Sequence, residues 1–272
     1  YVIDRPACEP GCSKCVEACK YGAIDLDMKT QEIELEVASV VVATGWKPYD
    51  ASKLTNMGFS NVPNVINNIM MERLASVSGP TKGKILRPSD QKPVESVVFV
   101  QCAGSRDENH LPYCSSICCL GSLKHAKYVL EQNPEAKVHI FYIDIRTPGK
   151  YEDFVAKVQA EPNVNMIKGK VAKIVAGKEG GVLVEAEDIL KLGKVHLEVD
   201  MVVLATGMES SLKGQAQVAG ITLDEYGFVP VELQQHGIFS AGVAKRPVDV
   251  NSSIQDSTGT ALKAIQIEMG VN

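Results

Sequence analysis

One short pattern occurs twice in the chain. Val40–Gly45 reads VVVATG, and Val202–Gly207 reads VVLATG. Each copy joins β-branched residues to a glycine turn, which reads as a buried strand ending where the backbone must bend. Alternating residues precede both copies, EIELEVAS before the first and KVHLEVD before the second. Between them, ESVVFVQCAG and KVHIFYIDI read as strands, Ser115–Glu131 and YEDFVAKVQA as helices, and VNMIKGKVAKIV as further strand. Strands alternating with helices imply a parallel sheet with helices packed on it. GKEGG, at Gly177–Gly181, supplies a hairpin turn. After the second copy a short strand, GIFSAG, leads into a helix from about Ser252 to Met269. Lys53–Lys92, rich in Asn, Pro, Ser and Gly, reads mostly as connector.

At 272 residues the chain has room for one large or two ordinary domains, each with its own core. A net charge of -5 argues against nucleic acid or an anionic membrane surface as the main partner. No apolar run approaches the roughly 20 residues of a membrane helix. No basic-then-apolar leader marks the chain for export. A cytoplasmic location follows as an expectation, with any membrane association made through partners. The chain begins at Tyr1, almost on top of a cysteine cluster, which points to a piece of a longer protein.

The eight cysteines fall into two groups, Cys8, Cys12, Cys15, Cys19 and then Cys102, Cys114, Cys118, Cys119. In a chain that is not exported, thiols stay reduced, and clustering then points to metal or redox chemistry. The first group has the spacing C-x3-C-x2-C-x3-C, one residue longer in its first gap than the ferredoxin pattern, with Lys20 where proline commonly follows. Iron–sulfur ligation is the leading reading; zinc and unligated thiols are the alternatives. Four-cysteine zinc sites usually pair two knuckles across a long gap, which is absent here.

The second group sits where a dinucleotide-binding domain would carry its glycine-rich turn. That turn here reads QCAGSRD, and no G-x-G-x-x-G occurs in the chain. Cys102 leaves the strand end, and Cys114, Cys118 and Cys119 are expected to enter the next helix, the first two on one face. A cluster under the helix start would then collect all four sulfurs where the helix dipole favours an anion. The adjacent cysteines, Cys118 and Cys119, would reach different irons. Buried thiols beside a vestigial nucleotide site are the alternative.

Lys124, Arg106 and His125 read by default as solvated or locally bonded groups. His110, His139, His196 and His236 show no metal spacing. Asp144 and Arg146 read as a structural ion pair at a strand end, or as the edge of a site.

The order of ATG strand, inserted α/β domain, second ATG strand and GIFSAG helix resembles the two-dinucleotide-domain flavoproteins such as thioredoxin reductase. Within them, QCAGSRDENHLPYCSSICCLGSLKHA, FYIDIRTPGKYEDF and GIFSAGVAKRPVDVNSSIQDS resemble the A subunit of heterodisulfide reductase. They are closer still to the A subunit of the quinone-interacting oxidoreductase complex of sulfate reducers. The resemblance implies an α/β fold of two Rossmann-like domains, one inserted in the other. Residues 1–92 would belong to an FAD-binding domain with an iron–sulfur insert at about 1–28, 93–205 to the inserted NAD-domain-like part, and 206–272 to the return of the first.

It also implies cofactors and partners. FAD would be bound with Thr44, Gly45, Gly242, Val243, Ser252 and Ser253 on the flavin side. Cys102, Cys114, Cys118 and Cys119 would hold an atypical [4Fe-4S] cluster near it, with Cys8, Cys12, Cys15 and Cys19 holding a second. Lys124 matches a lysine placed close to the isoalloxazine ring, the one candidate for a catalytic role. Val243 replaces an aspartate of simple flavin reductases, so that contact is lost or replaced. The family's opening glycine-rich strand is expected before Tyr1, and without it the chain is expected to bind FAD poorly or not at all. The implied function is an oxidoreductase subunit, inactive alone, that passes electrons between FAD and clusters. Its partners would be a membrane or iron–sulfur subunit and a second flavoprotein. A free-standing NAD(P)H-dependent FAD reductase is disfavoured by QCAGSRD, and a non-enzymatic iron–sulfur scaffold is the remaining rival.

Overall fold

Val97–Val100 and Met201–Ala205 are runs of consecutive residues no more than 5% exposed. Continuous burial of neighbours whose side chains point to opposite faces marks strands covered on both sides. The computed structural model, which describes residues 3–215 and 220–270, places these runs in adjacent strands. The chain divides into two units, Tyr1–Val37 and Ala38–Asn272. In the first, a short helix, α1 (Lys14–Ala18), lies among turns. The alternating residues Ile33, Leu35 and Val37 are exposed and form no strand.

The second unit opens with β1 (Val40–Val42), β2 (Trp46–Pro48) and β3 (Val65–Asn67), then α2 (Asn68–Ala75) and β4 (Ser96–Ala103). Next come α3 (Cys118–Gln132), β5 (Lys137–Tyr142), α4 (Tyr151–Gln159) and β6 (Val164–Lys168). An antiparallel group follows, β7 (Val171–Ala176), β8 (Val182–Asp188) and β9 (Gly193–Val199), with its first turn at the expected GKEGG. The unit closes with β10 (Met201–Thr206), β11 (Met208–Ser210), β12 (Ile238–Ser240) and α5 (Val250–Glu268).

The central sheet is parallel, in the order β3-β10-β4-β5-β6. Strand alternation divides its side chains between two cores. Val97, Phe99, Ile140, Met201 and Val203 pack with Met71 of α2, Leu123 and Val129 of α3 and Val158 of α4. Val98, Val100, Phe141, Val202 and Leu204 pack instead with Ile174, Val184 and Val199 of the antiparallel sheet. Phe99 and Phe141 lie on opposite faces at 0% and 1% exposure, and each contributes about 1.5–3 kcal/mol by burial. The α/β class and parallel sheet expected from the sequence are observed.

Three local expectations change. The stretch read as connector supplies β3 and α2, and β3 pairs with β10 although it precedes residue 93. Asn67 caps α2 by accepting a hydrogen bond from the Met70 N–H at 2.8 Å; an asparagine that reads as loop composition is a helix start. The first ATG strand is buried only at its end: Val40 and Val41 are 44% and 42% exposed, and Val42 is buried. Among the described residues it pairs only with β12, whereas β10 sits between β3 and β4.

Candidate functional site

The turn after β4 is held in shape by the second ATG. Ser115 Oγ accepts a hydrogen bond from the Met208 N–H at 2.9 Å, and it lies 2.9 Å from Ser105 Oγ. A Cβ on Gly207 would stand 2.1 Å from Ser105 Oγ and 2.4 Å from Ser115 Oγ, so only glycine permits the approach. The loop folds back through Leu111 N–H to Gly104 O and Arg106 N–H to Tyr113 O. Cys102, Arg106 and Ser116 adopt left-handed φ of 55°, 60° and 61°, strained values for such residues that persist where surroundings enforce them. Helix α3 then begins at Cys118. Cys114 therefore lies ahead of the helix, not one turn along its face, because Ser116 breaks the helical path.

Through this loop, Cys102, Cys114, Cys118 and Cys119 line one small pocket together with Arg106, Asp144 and Arg146. All four thiols are free. Burial pushes Cys102 up to about 11, the neighbouring thiols add to this, and Arg106 opposes it. Burial also raises Cys118 and Cys119. The backbone N–H of Arg146 donates to Cys119 Sγ at 3.4 Å, and that of Ser116 to Cys114 Sγ at 3.4 Å.

Among the described residues no three His, Cys, Asp or Glu side chains are arranged to hold a single metal ion. Thiolates around one tetrahedral ion at about 2.3 Å hold their sulfurs roughly 3.8 Å apart; a cluster of several irons spreads them farther. The donor chemistry fits such a cluster, with four thiols from two segments and guanidinium groups at the rim. The space among them is only about 10 Å³, scarcely one water, so seating a cluster requires the thiols to swing apart.

A second cavity of about 1090 Å³ lies against the same helix start, the size of a cofactor or small-molecule site. Trp46, Glu72, Lys124, Phe154, Val243 and Ser253 contribute to its wall, as do Ser116 and Cys118, which also line the thiol pocket. Inside it Glu72 accepts from His125 Nε2 at 2.7 Å and pairs with Lys124. The His125 hydrogen bond and then the Lys124 ammonium outweigh burial and hold Glu72 down to about 2.

Of the residues expected on the flavin side, Lys124, Val243 and Ser253 face this cavity. Thr44, Gly45, Gly242 and Ser252 are not in its wall. Gly45 turns the chain after β1 at φ 71°. Gly242 donates its N–H to Asp256 at 2.8 Å, and the Ser252 N–H donates to Asp249, which caps α5. Sequence reasoning missed Glu72; of its two readings of His125, solvated or hydrogen-bonded, the second holds, in a buried side chain 2% exposed. Nothing in α2 as a sequence distinguishes Glu72; only packing of α2 beside α3 brings it there.

In the first unit, Cys8, Cys12, Cys15 and Cys19 occur within turns and α1, free and at least partly exposed. The Ala23 N–H donates to Cys19 Sγ at 3.4 Å, and this bond chiefly lowers the Cys19 thiol below its ordinary value.

No model of a protein family matches the chain. Curated relatives do. The chain is 35% identical over 275 residues to the A subunit of the H(2):CoB-CoM heterodisulfide,ferredoxin reductase of Methanothermobacter marburgensis, covering 96% of this chain and 41% of that protein. It is 37% identical to the A subunit of the ferredoxin:CoB-CoM heterodisulfide reductase of Methanosarcina mazei, covering 98% and 35%. It is 36% identical to the iron-sulfur A subunit of the CoB–CoM heterodisulfide reductase of Methanocaldococcus jannaschii, covering 99% and 43%. Among solved structures, T. acidophilum thioredoxin reductase matches with TM-score 0.51 at 16% identity, over 86% of this chain and 66% of that one. Lactococcus lactis thioredoxin reductase matches with TM-score 0.50 at 13% identity, over 84% and 65%. These structures show the fold, a dinucleotide-binding α/β type. Over nearly its whole length the chain is a homologue of the A subunit of heterodisulfide reductase, and it spans about two fifths of that protein.

Proposed function

We propose that the chain is the electron-transfer portion of a heterodisulfide-reductase-type oxidoreductase subunit, with FAD in the large cavity and an iron–sulfur cluster on Cys102, Cys114, Cys118 and Cys119. The observation that carries this reading is the shared wall: Cys118 and Ser116 line both the cavity and the thiol pocket. A group in one space is therefore one side chain from a group in the other. When bound, FAD exchanges electron pairs and iron–sulfur centres carry single electrons.

The chain's own residues supply position, charge and exclusion of water. Trp46, Ile117, Phe154 and Met208 give the cavity apolar walls. Lys124, held by Glu72, presents the cavity with a cation. Val243 and Ser253 line the cavity assigned to the flavin, and Thr44, Gly45, Gly242 and Ser252 are assigned to the flavin side on the motif resemblance alone. Ionisation of the raised thiols on ligation releases protons, and Arg106 stabilises the resulting charge at Cys102. Cys8, Cys12, Cys15 and Cys19 would hold a second cluster, an assignment supported by their ferredoxin-like spacing. Both clusters are read as [4Fe-4S].

The relatives are named as subunits, one of them as an iron-sulfur subunit. This supports a place in a hetero-oligomeric complex, whose other members would include a membrane or iron–sulfur subunit and a second flavoprotein; a cytoplasmic location is part of the proposal and rests on the sequence expectation alone. No helix among the described residues is long and apolar enough to cross a membrane. The quinone-interacting complex of sulfate reducers remains the finer form of this proposal, carried by the motif resemblance. The test is anaerobic purification with iron and flavin quantified and EPR spectra recorded. Reducible iron–sulfur signals are expected from this chain, with stoichiometric flavin only once the glycine-rich segment expected before Tyr1 is restored; protein that contains zinc and no iron would overturn the reading.

A further inference from the structure

Two arginines and an aspartate at the rim of the thiol pocket form a connected structure over it. Arg106 Nη1 donates to Asp144 Oδ1 at 2.5 Å, and Arg146 reaches the same carboxylate through Nε at 3.3 Å and Nη2 at 3.4 Å. These are the charged residues that line the pocket, and all its other lining residues are cysteine or serine. Their positions come from different elements. Arg106 stands in the loop after β4, held by its left-handed backbone and its bond to Tyr113 O. Asp144 and Arg146 follow the end of β5.

In a dinucleotide-binding fold these are the two places where a pyrophosphate and a ribose would be read, the second by an acidic group. Here the acidic group is engaged by Arg106 and Arg146. The charges that would face a nucleotide are turned on each other and toward the sulfurs. Arg146 also offers Cys119 its backbone N–H.

We propose that Arg106 and Arg146, bridged by Asp144, are a charge clamp that makes the group held by the four cysteines easier to reduce. This rests on the iron–sulfur reading of those cysteines. Two guanidinium groups against one carboxylate leave one net positive charge beside the thiolates. Adding one electron, delivered by a reduced flavin or by an external reductant such as dithionite, makes the thiolate-bound cluster one unit more negative. A net cation at the rim favours the reduced form, and partial exclusion of water strengthens the effect. Asp144 acts in the opposite direction, and it also fixes where the two cations stand.

The experiment is a redox titration of the anaerobically purified protein and of Arg106→Gln, Arg146→Gln and Asp144→Asn, followed by EPR, with iron measured in each. The arginine variants are expected to shift the cluster potential negative, by about tenfold in the reduced-to-oxidised ratio, or about 59 mV for one electron. Asp144→Asn is expected to shift it positive. The result is read on every variant that retains iron. Unchanged potentials, or shifts of one sign in all of them, would overturn the clamp. Loss of iron from all three variants would also overturn it, because the residues would then build the pocket and not bias it. Absence of a second iron–sulfur signal that depends on Cys118 in the unaltered protein would instead defeat the ligand assignment itself, a distinguishable failure.

Discussion

Glu72 accepts a hydrogen bond from Nε2 of His125 at 2.7 Å, although the imidazole is 2% exposed and the carboxylate lies on a different helix. The Nδ1 atom of His125 is buried without a partner. That arrangement favours the tautomer protonated on Nε2, since a proton on Nδ1 would be buried and unpaired. The same carboxylate pairs with Lys124, so one side chain of α2 ties two residues of α3 at the edge of the large cavity.

An acid-stability experiment tests that tie. Glu72 is depressed from 4.5 to about 2, so its ionised form is favoured by the folded state. The stabilisation is full above about 4.5 and is lost as pH falls toward about 2. Glu72→Gln should therefore flatten the fall in thermal midpoint across that window. An identical acid limb in the variant would show that the carboxylate contributes nothing there.

The two ATG glycines should respond differently to alanine. At Gly207 a Cβ meets Ser105 Oγ at 2.1 Å and Ser115 Oγ at 2.4 Å, an overpacking cost of about 1–3 kcal/mol or more. Gly45 has no atom within 4 Å of that position, but its φ is 71°, which costs a residue with Cβ about 1–2 kcal/mol. Urea unfolding should show both losses, with Gly207→Ala alone also loosening the cysteine loop. A Gly207→Ala protein as stable as the parent would contradict the packing described.

Thiol reactivity should separate the two cysteine groups in metal-free, reduced protein. Cys19 is at the surface and lowered by the Ala23 N–H, while Cys118 is buried and raised. Near neutral pH, iodoacetamide followed by mass spectrometry should label Cys19 first and Cys118 last, differing by more than about tenfold. Equal rates would mean that the pocket is open.

NADH should not reduce the flavin rapidly without partner subunits. The turn after β4 carries Cys102 in place of a glycine fingerprint, and Asp144 is held by Arg106 and Arg146. Stopped-flow absorbance gives the rate. Full reduction within seconds would restore the nicotinamide reading.

Much of the fold was legible because the central strands are long and uniformly apolar. ESVVFVQCAG and VVLATG carry their burial in their composition. β3 was not legible, since three residues inside an Asn- and Pro-rich stretch have no measurable period and gain their place only by pairing with β10. Val40 and Val41 misled for the reverse reason: a β-branched run states a preference for strand, and burial depends on neighbours that the run does not contain. At the site, the cysteines announced themselves by spacing. The Asp144–Arg146 pair, two residues apart, was legible as well; Glu72, its bond to His125 and the reach of Arg106 to Asp144 were not, because each depends on contacts between residues 38 or more positions apart.

The central claim is that Cys102, Cys114, Cys118 and Cys119 jointly hold iron beside the large cavity. Replacing Cys118 and Cys119 together by serine, with anaerobic purification and iron analysis, addresses it directly. The account predicts a loss of about four irons per chain, with the folded protein and the iron assigned to Cys8, Cys12, Cys15 and Cys19 retained. Iron content equal to that of the parent protein would contradict it.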